Sequence, residues 1–220
     1  MNKIVKFGED VEGYNIPVLN EREIRASAGI LFLFVFMSLM LIIFKQNFSL
    51  IKYVISSFLL DFIIRVFVHP RYSPTLIIGR LIVRRQTPEY VGAAQKKFAW
   101  IIGIVLAATM FVLMVILNTY SIITGLVCLI CLIFLFFESA FGICLGCLVY
   151  GLFNKGKAQY CPGEVCERKD RQEIQKTSWL QIFIVIGLLV FIVITAQLFS
   201  TRFAEKPTDL WQKFKSGAQK

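Results

Sequence analysis

Residues 98–137 read FAWIIGIVLAATMFVLMVILNTYSIITGLVCLICLIFLFF and contain no charged side chain. One membrane crossing needs about 20 apolar residues, because the hydrocarbon core is about 30 Å thick and each helical residue advances about 1.5 Å. The run is too long for one crossing, and the polar cluster Asn118-Thr119-Tyr120-Ser121 divides it. The stretch therefore predicts two transmembrane helices joined by a tight turn.

Three further apolar runs flank this hairpin. Residues 26–44 and 177–200 carry no charge, and residues 48–68 form a run that His69-Pro70 stops, because proline disfavours helix in the residue before it. Backbone amides in lipid must be satisfied within the segment, so each run is predicted to be a helix. The fold class is an all-α integral membrane protein with a four-helix transmembrane core and a fifth C-terminal span.

The fourth span has a length problem. Its apolar run starts at Ser121 and continues past Glu138 to residue 153, which would make a single helix roughly 50 Å long. Such a helix exceeds the thickness of the hydrocarbon. We expect it to tilt, protrude or break, and a break would fall near Gly142 or Gly146.

The composition supports a membrane environment and argues against nucleic-acid binding. The chain is 57% hydrophobic and 17% charged, whereas soluble domains are about 45–50% apolar and about 25% charged. Its net charge of +10 resides in segments between apolar runs, where basic side chains set orientation and meet anionic lipid head groups. No basic face with interleaved aromatics is present, so the expected partner is the lipid bilayer and not nucleic acid.

The basic residues also predict the topology, since lysine and arginine gather on the cytoplasmic side. The two basic segments, 69–97 and 154–176, are both expected on that side. The predicted topology is that of a multi-pass protein of the bacterial inner membrane with a cytoplasmic N-terminus. The polar start of the chain does not resemble a signal peptide. The predicted parts are the cytoplasmic segment 1–25, the core 26–153 with its basic loop 69–97, the cysteine-containing loop 154–176, the fifth span 177–200 and the tail 201–220.

Six cysteines lie close together as three pairs, Cys128 with Cys131, Cys144 with Cys147, and Cys161 with Cys166. The first pair is predicted to pack as small hydrophobes inside a span. The other two pairs have lysine and arginine nearby, which favours the thiolate, the form that attacks disulfides and binds metals.

Two chemistries fit these four cysteines, and inert packing is the third reading. Cys144 and Cys147 could be the catalytic pair of a dithiol that exchanges with a partner or carries sulfane sulfur, with Cys161 and Cys166 as a second thiol pair. Alternatively, all four thiolates could hold zinc or an iron–sulfur cluster. A reducing cytoplasm argues against a merely structural disulfide.

Ionisable residues inside spans are costly and mark function or pairing. Asp61 and Arg65 are spaced i,i+4 on one helix face, and His69 continues that face. Glu138 shares a face with Cys131 and is expected either to pair with Arg65 or to serve as a proton site. The predicted polar pocket comprises Asp61, Arg65, His69, Arg71 and Glu138. The plainer reading is a structural ion pair.

Two strings, His69-Pro70-Arg71-Tyr72-Ser73-Pro74 and the FESAFGICLGC string at residues 137–147, together with Lys97-Phe98-Ala99-Trp100, carry a resemblance. The chain resembles a family of small bacterial membrane proteins known only as a domain of unknown function, over about residues 16–150. The resemblance implies a four-helix core whose last helix is closed by a cysteine pair, and thioredoxin-like or rhodanese-like partners. It supplies no reaction.

Two functional hypotheses follow. The first is a membrane thiol protein of sulfur or redox metabolism, with Cys144 and Cys147 reactive and arginine nearby to suit an anionic sulfur species. The second is a structural or assembly subunit that holds zinc or an iron–sulfur cluster and contacts other membrane subunits. The sequence does not decide whether the protein is an enzyme.

Overall fold

The computed structural model of the protein describes residues 7–12, 14, 16–153 and 177–209. These residues form seven α-helices and four short strands: β1 (Val18–Asn20), α1 (Glu21–Lys45), α2 (Ser49–Ile63), α3 (Pro74–Val83), β2 (Tyr90–Gly92), α4 (Ala93–Phe111), β3 (Thr119–Tyr120), α5 (Ile122–Phe136), α6 (Leu145–Phe153), α7 (Trp179–Ala204) and β4 (Thr208–Asp209). Three helices continue into one π-helical turn each: α2 into Ile64–Val68, α4 into Val112–Ile116, and α5 into Phe137–Phe141.

Four helices in the described part of the chain are long and apolar enough to cross a membrane, which confirms the membrane fold class. They are Glu21–Lys45, Ala93–Ile116, Ile122–Phe141 and Trp179–Ala204. The helix Ser49–Val68 is of similar length but contains three ionisable side chains, Lys52, Asp61 and Arg65. The predicted second span therefore forms a helix that carries charged side chains near its start and in its second half.

The turns expected between the apolar runs occur at residues whose backbone has a positive φ angle, in the left-handed region. Gln46 (φ 51°) ends α1, and Asn118 (φ 47°) divides the long uncharged run. Gly142 (φ 68°) ends the helix that starts at α5, so the fourth span breaks there as expected and α6 starts a new direction. Glycine adopts this conformation without the steric cost that a side chain adds.

The segment 69–97, expected to be a loop, is largely structured. Its helix α3 packs along α1 so closely that a Cβ at Gly79 would lie 2.6 Å from the Glu23 carbonyl oxygen. The strands β1 and β2 pair antiparallel, with Leu19 opposite Val91, and join the start of α1 to the start of α4. The segment 69–97 therefore packs against the end of the bundle instead of forming an open loop.

The hydrophobic core lies between α1, α2, α4 and α5, where buried side chains such as Ile51, Phe58, Met110 and Leu135 meet. Large apolar side chains also cover the outside, including Phe44, Ile122 and Leu198, each more than 70% exposed. Soluble monomers rarely expose continuous apolar surface. The exposed side chains are the surface that meets lipid.

Helix α7 is attached to the core mainly at its two ends. Near its start, the buried Gln181 donates a hydrogen bond from Nε2 to the Arg71 carbonyl oxygen at 2.9 Å. At its far end, the buried ammonium of Lys52 donates to the carbonyl oxygens of Arg202 and Glu205. No residue between Gln181 and Phe203 is buried in this described helix, so most of its surface faces outward.

Candidate functional site

Helix α6 holds the Cys-x-x-Cys pair against α4 through a contact between small residues. A Cβ built on Gly146 would lie 2.6 Å from the Ala99 Cβ and 2.8 Å from the Ala99 Cα. Only glycine permits this approach, since the second of these atoms is backbone. The glycine of the Cys-Leu-Gly-Cys string therefore brings both cysteines close to the first turn of α4, where Lys96 lies.

Cys144 precedes the first residue of α6, and its sulfur accepts a hydrogen bond from the Cys147 backbone N–H at 3.3 Å. Both thiols are free; Cys144 is buried and Cys147 is half-buried. The Cys144 thiol also hydrogen-bonds to the Cys147 sulfur, which lowers the pKa of Cys147 and raises the pKa of Cys144. The two thiols can thus share one proton.

Lys96 forms the centre of a charged cluster beside these thiols. Its Nζ lies 2.8 Å from Glu21 Oε2 and 2.6 Å from Glu138 Oε1, and its side chain is 4% exposed. We call Glu21, Lys96 and Glu138 the Lys96 cluster. The three residues come from three helices, which meet at the end of the bundle that carries α6.

The Lys96 cluster contains two carboxylates and one ammonium, so its formal charge is negative. Lys96 attracts a thiolate at either cysteine, while Glu138 opposes it. Charges interact strongly in a medium of low dielectric constant. The arrangement can therefore stabilise a thiolate through Lys96 and accept a proton on a carboxylate.

A cavity of about 50 Å³ lies next to the cysteine pair, inside the four-helix core. Its polar lining consists of Cys144, Glu138, Arg65 and Cys131, and aromatic side chains such as Trp100 form much of the remaining wall. Cys128 lies deeper and packs in the hydrophobic core, the position predicted for it. The cavity thus connects the thiol pair with the interior of the bundle.

Asp61 and Arg65 form the predicted i,i+4 ion pair, with Arg65 Nε 2.7 Å from Asp61 Oδ2. Asp61 Oδ1 accepts from the Ser73 hydroxyl and the Thr75 N–H, and Oδ2 also accepts from the Thr75 hydroxyl. Arg65 Nη2 donates to the hydroxyls of Ser27 and Thr75. We call these five residues the Asp61 cluster.

The Asp61 cluster is sealed from solvent. Asp61 is 0% exposed and Arg65 is 2% exposed. The guanidinium carbon of Arg65 lies 4.5 Å from the ring centroid of Phe62 and 5.2 Å from that of Trp100. Ser73 also begins helix α3, since its hydroxyl accepts from the Leu76 N–H. This cluster is built as a structural joint between three helices.

The predicted polar pocket is divided by the structure. Arg65 and Glu138 line the same cavity but do not pair, because Glu138 pairs with Lys96. His69 and Arg71 lie at a different place, a smaller cavity beside Arg80, and His69 Nδ1 accepts from the Arg71 N–H. The helical face does not extend to His69, because the chain passes through a π-helical turn and becomes extended at that residue.

The proposed four-cysteine metal site falls only partly within the described chain. Cys161 and Cys166, and the loop 154–176 that contains them, lie outside the described residues. Among the described residues, no group of three or more His, Cys, Asp or Glu side chains could hold a metal ion. Cys144 and Cys147 are therefore the part of this set whose surroundings the structure shows.

Sequence reasoning missed the central residue of the site. Lys96 was counted among the basic residues of a loop, whereas it lies in the first turns of α4 and is buried. Its neighbour Lys97 points elsewhere, with Nζ 4.9 Å from the ring centroid of Phe7. One signal in the sequence could have indicated its role. If α4 begins before the uncharged run, Lys96 and Ala99 are three residues apart on one face of the helix.

Fold and site together define a multi-pass helical membrane protein with a thiol pair at one end of its bundle. Residues 19–155 match the family described as Domain of unknown function (DUF4395), and the chain belongs to this family. No curated protein and no solved structure matches the chain. The family assignment confirms the resemblance drawn from the two sequence strings, and it carries no activity.

Proposed function

We propose that the protein exchanges disulfides through Cys144 and Cys147, as a membrane thiol protein of redox or sulfur metabolism. One observation carries this proposal: α6 holds two free thiols against the start of α4, where the buried ammonium of Lys96 attracts a thiolate at either sulfur. A cation next to a cysteine favours the thiolate, which is the reactive form. Cysteines that only fill space need no such partner.

The exposure of the two sulfurs assigns their roles. Cys147 is half-buried and attacks, whereas Cys144 is buried and resolves. The Cys147 thiolate attacks one sulfur of a partner disulfide; a mixed disulfide forms, and the other partner sulfur leaves as a thiolate. Cys144 then passes its proton to Glu138 and attacks the Cys147 sulfur. The partner leaves as a dithiol, and the protein retains a Cys144–Cys147 disulfide.

The partner and location follow from the same chemistry. A thioredoxin-like protein presents an accessible dithiol or disulfide and suits this exchange, whereas a rhodanese-like protein would transfer sulfane sulfur. Arginines 22, 25, 84 and 85 lie at the end of the bundle that carries the cysteine pair. By the positive-inside rule this end faces the cytoplasm of a bacterial inner membrane.

Trapping tests the roles directly. In Cys144→Ser the resolving step is blocked, so incubation with an oxidised thioredoxin-like protein should accumulate a mixed disulfide at Cys147, visible on a non-reducing gel. Cys147→Ser should give none, and Cys128→Ser, a matched change in the core, should behave like the unchanged protein. A mixed disulfide that forms equally well in Cys147→Ser would refute the assignment.

Elemental analysis distinguishes this proposal from the competing class of protein. A structural or assembly subunit with four thiolates should contain about one zinc, or an iron–sulfur chromophore, per chain and lose it when any one of its four cysteines becomes serine. Such a result at Cys144, Cys147, Cys161 and Cys166 would replace the exchange proposal. Disulfide exchange predicts no dependence of Cys147 reactivity on a chelator.

A further inference from the structure

We propose that the cavity beside Cys144 is a site for hydrogen sulfide, and that the oxidised protein takes up its sulfur as a persulfide on Cys144. This inference rests on the proposed function, because it requires the Cys144–Cys147 disulfide. The small-molecule substrate would react with the same cysteine pair as a protein partner, but it would approach from the opposite side.

The size of the cavity selects the ligand. A cavity of about 150 Å³ accepts a benzene-sized ring, so about 50 Å³ is too small for a ring, a peptide or a bulky organic thiol. Water needs about 10–15 Å³, so molecules of one or two heavy atoms fit. Among nucleophiles that attack disulfides, hydrogen sulfide, with a single heavy atom, is the smallest. It is also soluble in hydrocarbon, so it can reach a cavity inside a membrane bundle.

The placement of the cavity determines which sulfur is attacked. Displacement at a disulfide requires the nucleophile to approach along the S–S axis, opposite the leaving sulfur. Cys144 lines the cavity and Cys147 does not. A nucleophile held in the cavity therefore meets the Cys144 sulfur, and Cys147 is the leaving group. A protein thiolate, in contrast, can approach only from the half-buried Cys147 side.

The charged lining completes the reaction. Hydrogen sulfide enters as a neutral molecule and gives one proton to Glu138, which lines the same cavity. The resulting HS⁻ attacks the Cys144 sulfur, a new S–S bond forms, and the Cys144–Cys147 bond breaks. Cys147 leaves as a thiolate next to Lys96. The disulfide takes up two electrons, and sulfide becomes the sulfane sulfur of Cys144–S–SH, beside the Arg65 guanidinium.

The test uses purified full-length protein. It is oxidised with diamide, and formation of the Cys144–Cys147 disulfide is verified by peptide mass spectrometry. One equivalent of sodium sulfide is then added, followed by an alkylating agent. We expect one additional sulfur atom on Cys144 and a plain alkylated thiol at Cys147. Additional sulfur on Cys147, two plain thiols, or an unreacted disulfide would each overturn the inference.

A pair of matched variants separates the cavity from the thiol chemistry. Ala28 lines this cavity, whereas Ala107 lines the neighbouring one, which Cys144 does not reach. Ala28→Val should slow persulfide formation about tenfold by filling the space, yet still exchange with a dithiol. Ala107→Val should react with sulfide at the unchanged rate.

The two proposals fail in different ways. If no Cys144–Cys147 disulfide forms, the proposed function itself is wrong. If the disulfide forms and exchanges with a dithiol but sulfide adds no sulfur to Cys144, only the sulfide site is wrong. Equal sulfide rates in Ala28→Val and Ala107→Val would also reject the cavity as the site. Should Ala28→Val fail to fold, the position of the added sulfur in the unchanged protein decides.

Discussion

Two of the buried charge clusters in the described part of the chain, the Asp61 cluster and the Lys96 cluster, are built differently. In the Asp61 cluster one anion meets one cation, and neutral hydroxyls and an N–H satisfy both oxygens of Asp61. In the Lys96 cluster one cation serves two carboxylates, and Glu138 keeps 15% of its side chain exposed. The first cluster is balanced and sealed, whereas the second is negatively charged and adjoins two thiols.

The two clusters differ in the property that distinguishes a structural ion pair from a candidate site. A buried pair that is fully satisfied gains nothing from reacting, because any change of charge leaves a partner uncompensated. In a cluster with two carboxylates and one cation beside a titratable thiol, one carboxylate can accept a proton while the other stays paired with the cation. Substitutions in the two clusters should therefore affect different properties.

The largest effect is expected in the sealed cluster. Asp61→Ala leaves Arg65 as an uncompensated buried cation and should reduce the free energy of unfolding by about 3–5 kcal/mol. The measurement is the amount of monodisperse protein recovered in detergent and its thermal midpoint. Full recovery of folded Asp61→Ala would mean that Arg65 is neutralised elsewhere, and Glu138, which lines the same cavity, would be tested next.

The double variant Asp61→Ala with Arg65→Leu sharpens that result. Removing both charges should restore part of the lost stability, because apolar residues pack well in a membrane bundle. Recovery should be incomplete, since the Ser73 hydroxyl and Thr75 N–H lose their acceptor, at about 1–3 kcal/mol for each buried group. A double variant as unstable as Asp61→Ala would contradict the role of Arg65 as the uncompensated charge.

In the Lys96 cluster we expect a loss of reactivity in addition to the loss of stability that follows when two carboxylates lose their cation. Lys96→Met removes the cation next to the thiols, so we expect the Cys147 alkylation rate to fall about tenfold, a change of 1.4 kcal/mol. Lys97→Met is the matched control, because Lys97 lies over Phe7 instead. Equal alkylation rates in the two variants would show that Lys96 is only structural.

An intermediate structural change tests the contact that joins α6 to the Lys96 cluster. Gly146→Ala introduces a Cβ that would meet Ala99 at 2.6 Å, so α6 must shift, at a cost of about 1–3 kcal/mol. Gly125→Ala and Gly187→Ala are controls, since a Cβ there meets nothing within 4 Å. Thermal midpoints and Cys147 alkylation rates of all three variants provide the comparison. Unchanged reactivity in Gly146→Ala would show that the reactivity of the thiols does not depend on the contact between α6 and α4.

The smallest expected effect is a shift in pH dependence. The hydrogen bond from Cys144 lowers the pKa of Cys147 because it stabilises the thiolate. The alkylation rate of Cys147 should therefore reach half its maximum at a lower pH than that of a free cysteine. Cys144→Ala removes the donor, so this midpoint should move up. A midpoint that stays in place would show that the two thiols titrate independently.

Much of the fold follows from local features of the sequence. The uncharged run of residues 98–137 predicted a hairpin, and the turn occurs at Asn118. The excess length of the fourth span predicted that it would tilt, protrude or break, and it breaks at Gly142. The i,i+4 spacing of Asp61 and Arg65 predicted their pairing. Each prediction depends on residues close together in the chain, where backbone geometry alone sets the distances.

The remaining features depend on the approach of distant segments. Lys96 receives its two carboxylates from helices that lie far from it in sequence, so no spacing rule could select it. The same holds for Ser27, which reaches Arg65 from α1. The strings that identified the family do have physical reasons: Ser73 satisfies Asp61, and Gly146 permits the contact between α6 and α4.

The attachment of α7 has an evolutionary consequence. The contacts at its two ends, from Gln181 to the Arg71 carbonyl and from Lys52 to the carbonyls of Arg202 and Glu205, use main-chain acceptors. Every residue type supplies a main-chain carbonyl, so selection for attachment acts on the two donors and hardly on the stretch between them. The lipid-facing side chains of α7 are therefore free to drift among apolar residues, and a helix of this kind can be acquired beside an existing core without coordinated changes within it.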